Sequence, residues 1–136
     1  MRFDTKIAVV VRADLPTWQK LNMTAFLVSG IAATQEGIIG EPYVDGSGTH
    51  YLPMFRQPVL VFAGSAEQLR EVYRRAHGRE LPLAIFTEEL FSTGHDEANR
   101  AAVRAVPADE LRLVGLAMHG PRNAVDKVVK GLALHE

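Results

Sequence analysis

Five polar side chains carry the chemistry that this chain offers most readily: Asp14, Lys20, Asn22, Glu88 and Thr93. Hydrolysis of an acyl ester needs a base to activate water and donors to hold the developing oxyanion. Glu88 or Asp14 has the carboxylate for the first task. Lys20, Asn22 or a backbone N–H has the donor for the second. Each residue also has a plainer use: Asp14 as a turn residue, Asn22 paired to backbone, Glu88 solvated at the surface. As a cluster they fit a ligand site, provided the fold brings them to one place.

That condition turns on the elements around them. The run Lys6-Ile-Ala-Val-Val-Val-Arg-Ala-Asp-Leu15 is branched and apolar, then stops at charge and at Pro16. It predicts a strand buried on both faces, as in the centre of a parallel α/β sheet. Ligands in such sheets bind just outside the strand carboxyl ends, where Arg12 and Asp14 fall. Thr17 is a candidate cap for a long, largely apolar helix interrupted by Gly30, whose presence predicts close packing or a helix end. Tyr43 to Leu52 reads as a β-hairpin turning at Asp45-Gly-Ser-Gly48. A second strand over 58–63 precedes a helix over 66–77, capped by Ser65 and ended by Gly78. A third strand spans 83–86, and residues 88–93 form a loop or short turn. A helix over 95–104, a fourth strand over 111–117 and a last helix from Pro121 to about Lys130 complete the order. This alternation predicts one α/β domain over residues 1–136. The expected architecture is a three-layer α/β/α sandwich on a mixed, mostly parallel four-stranded sheet with a small added hairpin.

Other segments offer weaker chemistry. His119 precedes the last helix, whose free N–H groups could hold an anion. Arg70, Arg74 and Arg75, with His77 and Arg79, make a basic helix face, but Glu67, Glu71 and Glu80 lie among them and no aromatic residue is interleaved to stack on bases. His95-Asp-Glu97 supplies ligand atoms that point in different directions on a helix, so no metal site is expected. Trp18, Met23, Met54 and Phe55 are candidates for an apolar pocket or an oligomer contact. The apolar segment 50–56 is a candidate homodimer patch.

The chain has 136 residues, a net charge of −1 and no cysteine. Disulfides and thiolate chemistry are thereby excluded, and no global attraction for nucleic acid exists. No apolar run approaches the length that spans a bilayer. The stretch 7–11 is too short for a signal-peptide core, so a cytoplasmic protein without membrane partners is expected.

Three segments resemble type 2 peptidyl-tRNA hydrolase. The first is the opening strand ending in Arg12-Ala-Asp-Leu15, similar to that family's Arg-x-Asp-Leu. The second is residues 57–86, where strand, Leu- and Arg-rich helix and strand keep the family's spacing. The third, Gly120-Pro-Arg-Asn-Ala-Val-Asp-Lys-Val128, looks like Gly-Pro-x-x-x-x-Asp-Lys-Val. Together they cover about half the chain, and the likeness is nearest to an uncharacterised bacterial side-branch of the superfamily. The resemblance implies the three-layer fold and a cofactor-independent hydrolase of peptidyl-tRNA, with tRNA as partner. The chemistry departs from the pattern. Where the family has Gly-Lys-x-Ala-Ala-Gln, this chain has Leu21-Asn-Met-Thr-Ala-Phe26, so Asn22 stands at the Lys position and Lys20 lies two residues earlier. Where the family has Asp-x-Gly-x-Thr, Thr87-Glu-Glu-Leu-Phe-Ser-Thr93 stands, with Glu88 for Asp and Ser92 or Thr93 for Thr. An asparagine cannot give the cationic stabilisation of an ammonium. Binding of a small molecule at the strand ends is therefore the first expectation. Hydrolysis of peptidyl-tRNA or a related acyl ester, without metal or organic cofactor, is the alternative.

Overall fold

The computed structural model describes residues 2–136. The apolar opening run becomes strand β1, Thr5–Arg12, with Ile7 through Val11 all buried. Successive side chains of a strand point to opposite faces. Ile7, Val9 and Val11 therefore enter one core cluster, and Ala8 and Val10 enter another on the far side.

Each cluster is closed by helices. The long helix α1, Thr17–Thr34, lies over the first, with Met23, Leu27 and Ile31 as its buried stripe. Pro16, rather than Thr17, occupies its N-cap position, and no side chain caps it. The second cluster is closed by α2, Ala66–Gly78, through Leu69, Val72 and Ala76, and by α4, Arg122–Val128, through Val125 and Val128. A reciprocal capping box starts α2: Ser65 Oγ accepts from the Gln68 N–H, and Gln68 Oε1 accepts from the Ser65 N–H.

The sheet departs from the sequence-based expectation. Besides β1 it contains β4, Val59–Gly64, β5, Leu83–Thr87, β6, Leu113–Pro121, and β7, Ala133–Leu134, in the order β5-β6-β1-β4-β7. It thus has five strands rather than four, and it is mostly antiparallel: only β1 and β4 pair in parallel. The reason is that β6 runs back between β1 and β5. Because helices cover both faces, β6 is as apolar on each side as a central parallel strand would be. Two-sided burial therefore does not report strand direction. The two-residue β7 is too short to leave a pattern in the sequence.

Strands β1, β4 and β5 still run the same way, so Arg12, Gly64 and Thr87 end at one edge. Beyond that edge a 3-10 turn, Glu88–Phe91, leads to helix α3, Asp96–Arg104. Register shifts between Phe86 and Thr87, next to this turn. The expected hairpin forms from β2, Tyr43–Val44, and β3, His50–Tyr51. Asp45 holds its tip: Oδ1 accepts from the Ser47 and Thr49 N–H groups at 2.8 and 3.0 Å. Gly48 takes φ +83°, which only glycine adopts freely. Among the described residues, no helix is long and apolar enough to cross a membrane.

Candidate functional site

A cleft of about 450 Å³ opens beyond the carboxyl end of β5, between the first half of α1 and the start of α3. Its apolar wall is a chain of aromatic rings. Phe86 and Phe91 lie 4.9 Å apart, Trp18 meets Phe91 edge-on at 6.0 Å, and Phe26 lies 6.1 Å from Phe86. Trp18, Asn22 and Phe26 come from one side of α1 because residues four apart share a helix face.

The polar wall comes from the start of α3. His95 is the N-cap, its Nδ1 accepting from the Ala98 N–H at 3.2 Å. In the neutral ring this puts the proton on Nε2, which becomes a donor. Thr93 Oγ1 is 3.1 Å from the Leu90 carbonyl oxygen and also bonds Asn99 Oδ1. Asn99 thus turns its oxygen to Thr93 and keeps its NH2 free. The Asn22 amide has no side-chain partner among the described residues. Asp96 is the cleft's one carboxylate and pairs with Arg100. No lysine or arginine lines the cleft.

Of the five side chains singled out in the sequence, the fold brings only Asn22 and Thr93 together here. Lys20 lies on another side of α1, and its Nζ meets His135 Nε2 at 3.0 Å. Asp14 is exposed beside Arg12. Glu88 faces away, towards β6, where Arg12 Nη1 donates to it at 2.6 Å and Arg112 Nη1 lies 3.5 Å off. Arg112 also clasps Glu89 Oε1 at 2.7 Å. The hydrogen bond to Glu88 raises the Arg12 guanidinium above its ordinary range, and the bond to Glu89 does the same for Arg112. These charges form a salt-bridge network at the strand ends, where Arg12, Glu88 and Arg112 line a separate hollow of about 250 Å³. Asn99, Phe86 and Phe91 escaped the sequence reading. A usable signal was the four-residue spacing of His95 and Asn99, which puts both on one face of a short helix.

A family model described as a protein of unknown function, DUF2000, matches residues 5–136. The chain belongs to the DUF2000 family. A solved structure of a protein of unknown function from Agrobacterium tumefaciens is 48% identical to this DUF2000 chain. It superposes with a TM-score of 0.96, over 99% of this chain and 100% of that one. No curated protein matches the chain. The descriptions of the family and of the solved relative name no activity, and neither mentions a peptidyl-tRNA hydrolase.

Two other features of this DUF2000 chain carry chemistry-bearing residues. At the opposite edge of the sheet, His119 sits in β6, not at a helix start, beside a hollow of about 390 Å³. Its Nδ1 is 3.0 Å from Gln35 Oε1, its Nε2 has no partner among the described residues, and burial pushes its pKa down. The helix it was expected to introduce, α4, instead begins after Pro121. The basic residues of α2 are engaged within the fold. Arg74 and Arg75 pair with Glu71 at 3.0 and 3.3 Å, Arg75 also reaches the Val128 and Lys130 carbonyls, and Arg70 holds the Asp109 and Leu111 carbonyls. Among the described residues, no three His, Asp or Glu side chains are grouped to hold a metal ion.

Proposed function

We propose that this chain binds a small molecule made of a flat apolar ring and hydrogen-bond-accepting groups, in the cleft between α1 and α3. The observation that carries this is the composition of the two walls. Four aromatic rings form one side, the Asn99 NH2 and His95 Nε2–H are available as donors without formal charge on the other, and the Asn22 amide adds a third from α1, between Trp18 and Phe26. Aromatic walls contribute apolar area and stacking, and a few fixed polar groups set orientation. A carboxamide, ring carbonyl or carboxylate would meet the donors while its ring lay among Trp18, Phe26 and Phe91. A polyphosphate would find no cation. His95 is engaged as a helix cap, and Glu88 is held by arginines outside the cleft. Neither is free to activate water, so binding is favoured over hydrolysis.

Trp18 is the only tryptophan in the chain, so its emission reports occupancy. Titration with nicotinamide, benzoate and related aromatic amides and acids should change it saturably. Phe26→Ala and Asn99→Ala should abolish the saturation, while Lys20→Ala and Asp14→Ala should leave it intact. A linear, non-saturating response to every probe would overturn the proposal.

The hydrolase alternative is supported by one observation. The three segments that resemble type 2 peptidyl-tRNA hydrolase fall on β1, on β4-α2-β5 and on β6-α4, the body of the sheet and its covering helices. Release of the blocked amino acid from N-acetylaminoacyl-tRNA is its direct assay. Turnover that vanishes in Asn22→Ala or Glu88→Ala would replace the binding reading with the catalytic one.

A further inference from the structure

Helix α1 carries large apolar side chains on its outer side as well as its inner one. Its 18 residues include a single charged side chain, Lys20, which is engaged with His135. An apolar side chain on a helix is ordinarily turned to the core, yet Leu21 is 69% exposed. Gly30 adds to the anomaly. A glycine inside a helix costs about 1 kcal/mol relative to alanine, and a Cβ built there would meet nothing in this chain. Neither close packing within the chain nor a helix end accounts for it.

The hairpin presents the same problem. Every residue from 41 to 52 is exposed, and β2 and β3 pack chiefly on each other. An isolated two-stranded hairpin is marginal in water. This one carries Tyr43, Tyr51, Leu52 (85% exposed) and Met54 to solvent. Its base is fixed where Ile39 bridges Phe55 and the Arg56 N–H bonds the Ile38 carbonyl. Ile38 and Phe55 pack into the cluster under α1, so arm and helix emerge on the same side of the sheet.

Of the ten large apolar side chains left exposed among the described residues, seven lie on α1 or on this arm outside the cleft, while Trp18 and Phe26 of α1 line the cleft itself. These seven open on the order of 800 Å², about what each partner gives to a standard interface. We infer that two copies of this chain pair through this surface, the β2-β3 arm of each lying on the outer face of the other's α1. The surface is self-complementary in the way a two-fold contact requires. The arm leaves beyond the end of α1 and Leu21 sits near its start, so antiparallel α1 helices bring each arm to the other's Leu21. An almost uncharged helix face sets no repulsion between copies, and Gly30 lets the backbones approach.

Sedimentation velocity tests the pairing. The wild-type chain should sediment at twice its 15.0 kDa mass. Leu21→Glu and Leu52→Glu should each return it to the monomer mass with the circular dichroism spectrum unchanged, since both side chains are exposed. The chain has no cysteine, so a Leu21→Cys, Leu52→Cys double variant should, on oxidation, form a covalent dimer whose bridge joins position 21 of one copy to position 52 of the other. A wild-type chain that stays monomeric at the highest concentration reached overturns the pairing and leaves the surface to a different protein. A dimer indifferent to both glutamates, or one bridged only between like positions, overturns it too. Neither Leu21 nor Leu52 lines the cleft, so the pairing and the cleft's ligand are tested separately.

Discussion

Arg12 Nη1 donates to Glu88 Oε1 at 2.6 Å, which fastens the end of β1 to the turn that follows β5. The same guanidinium gives its Nε–H to Asp14 Oδ1, also at 2.6 Å. The two carboxylates are not equivalent, because Asp14 is largely solvated and Glu88 is not. Glu88→Ala leaves a mostly buried guanidinium short of a partner and should cost about 1–2 kcal/mol. Asp14→Ala should cost under about 0.5 kcal/mol. Urea unfolding curves for the two variants, at unchanged slope, measure the difference.

Gly115 on β6 lies directly under α1. A Cβ there would collide with Met23 Sδ and sit 3.0 Å from Leu27 Cδ1. The methionine end can swing aside, so Gly115→Ala should destabilise by about 1 kcal/mol, at the low end of overpacking costs. Met23→Ala removes a fully buried side chain and should cost about 2–5 kcal/mol. The alanine at 115 would then grow into the space vacated by Met23. The double variant should accordingly be more stable than the sum of the two losses predicts, a coupling that a double-mutant cycle reads out.

His119 is buried, and desolvation alone sets its shift. Its folded-state pKa lies below the ordinary imidazole value of about 6.5. The unfolded chain therefore takes up the proton first as pH falls. Stability at this site is undiminished above about pH 6.5 and declines as pH drops from there towards the folded value. Asp4, Glu36, Arg2 and Arg56 line the same hollow. Their contribution is separated by His119→Gln, whose stability should fall less than that of the wild type between pH 7.5 and 5.5. Equal slopes for the two proteins would contradict the assignment.

Asp45 holds the hairpin tip, accepting from Tyr51 Oη at 2.8 Å as well as from the two backbone N–H groups. The Tyr51 bond, first among these causes, lowers its pKa. Its folded value lies below the unfolded one, so the stabilisation of the tip is complete above about pH 4 and lost as pH falls through the folded value. Asp45→Ala should free the tip at neutral pH. Amide exchange at Ser47 and Thr49 should quicken, while exchange in β1 should stay slow.

Much of this architecture was legible before the tertiary structure. The α2 helix announced itself through Ser65 and Gly78, the hairpin through its Asp-Gly-Ser-Gly turn, and β1 through its branched run, because each signal is local and acts within a few residues. Strand direction was not legible. Val9 and Leu116 are apolar for the same reason, two-sided cover by helices, although their strands run oppositely. Nor did the sequence decide the site. Asn22 and Lys20 are two residues apart, and helical geometry alone sends one into the cleft and the other to His135. Glu88 and Thr93 share a connecting segment, but the turn through residues 88–91 aims the carboxylate at Arg12 and delivers the hydroxyl to Asn99. Residue types set which chemistry was available. Only the crossing of α1, β5 and α3, a matter of long-range packing, chose which of those groups meet.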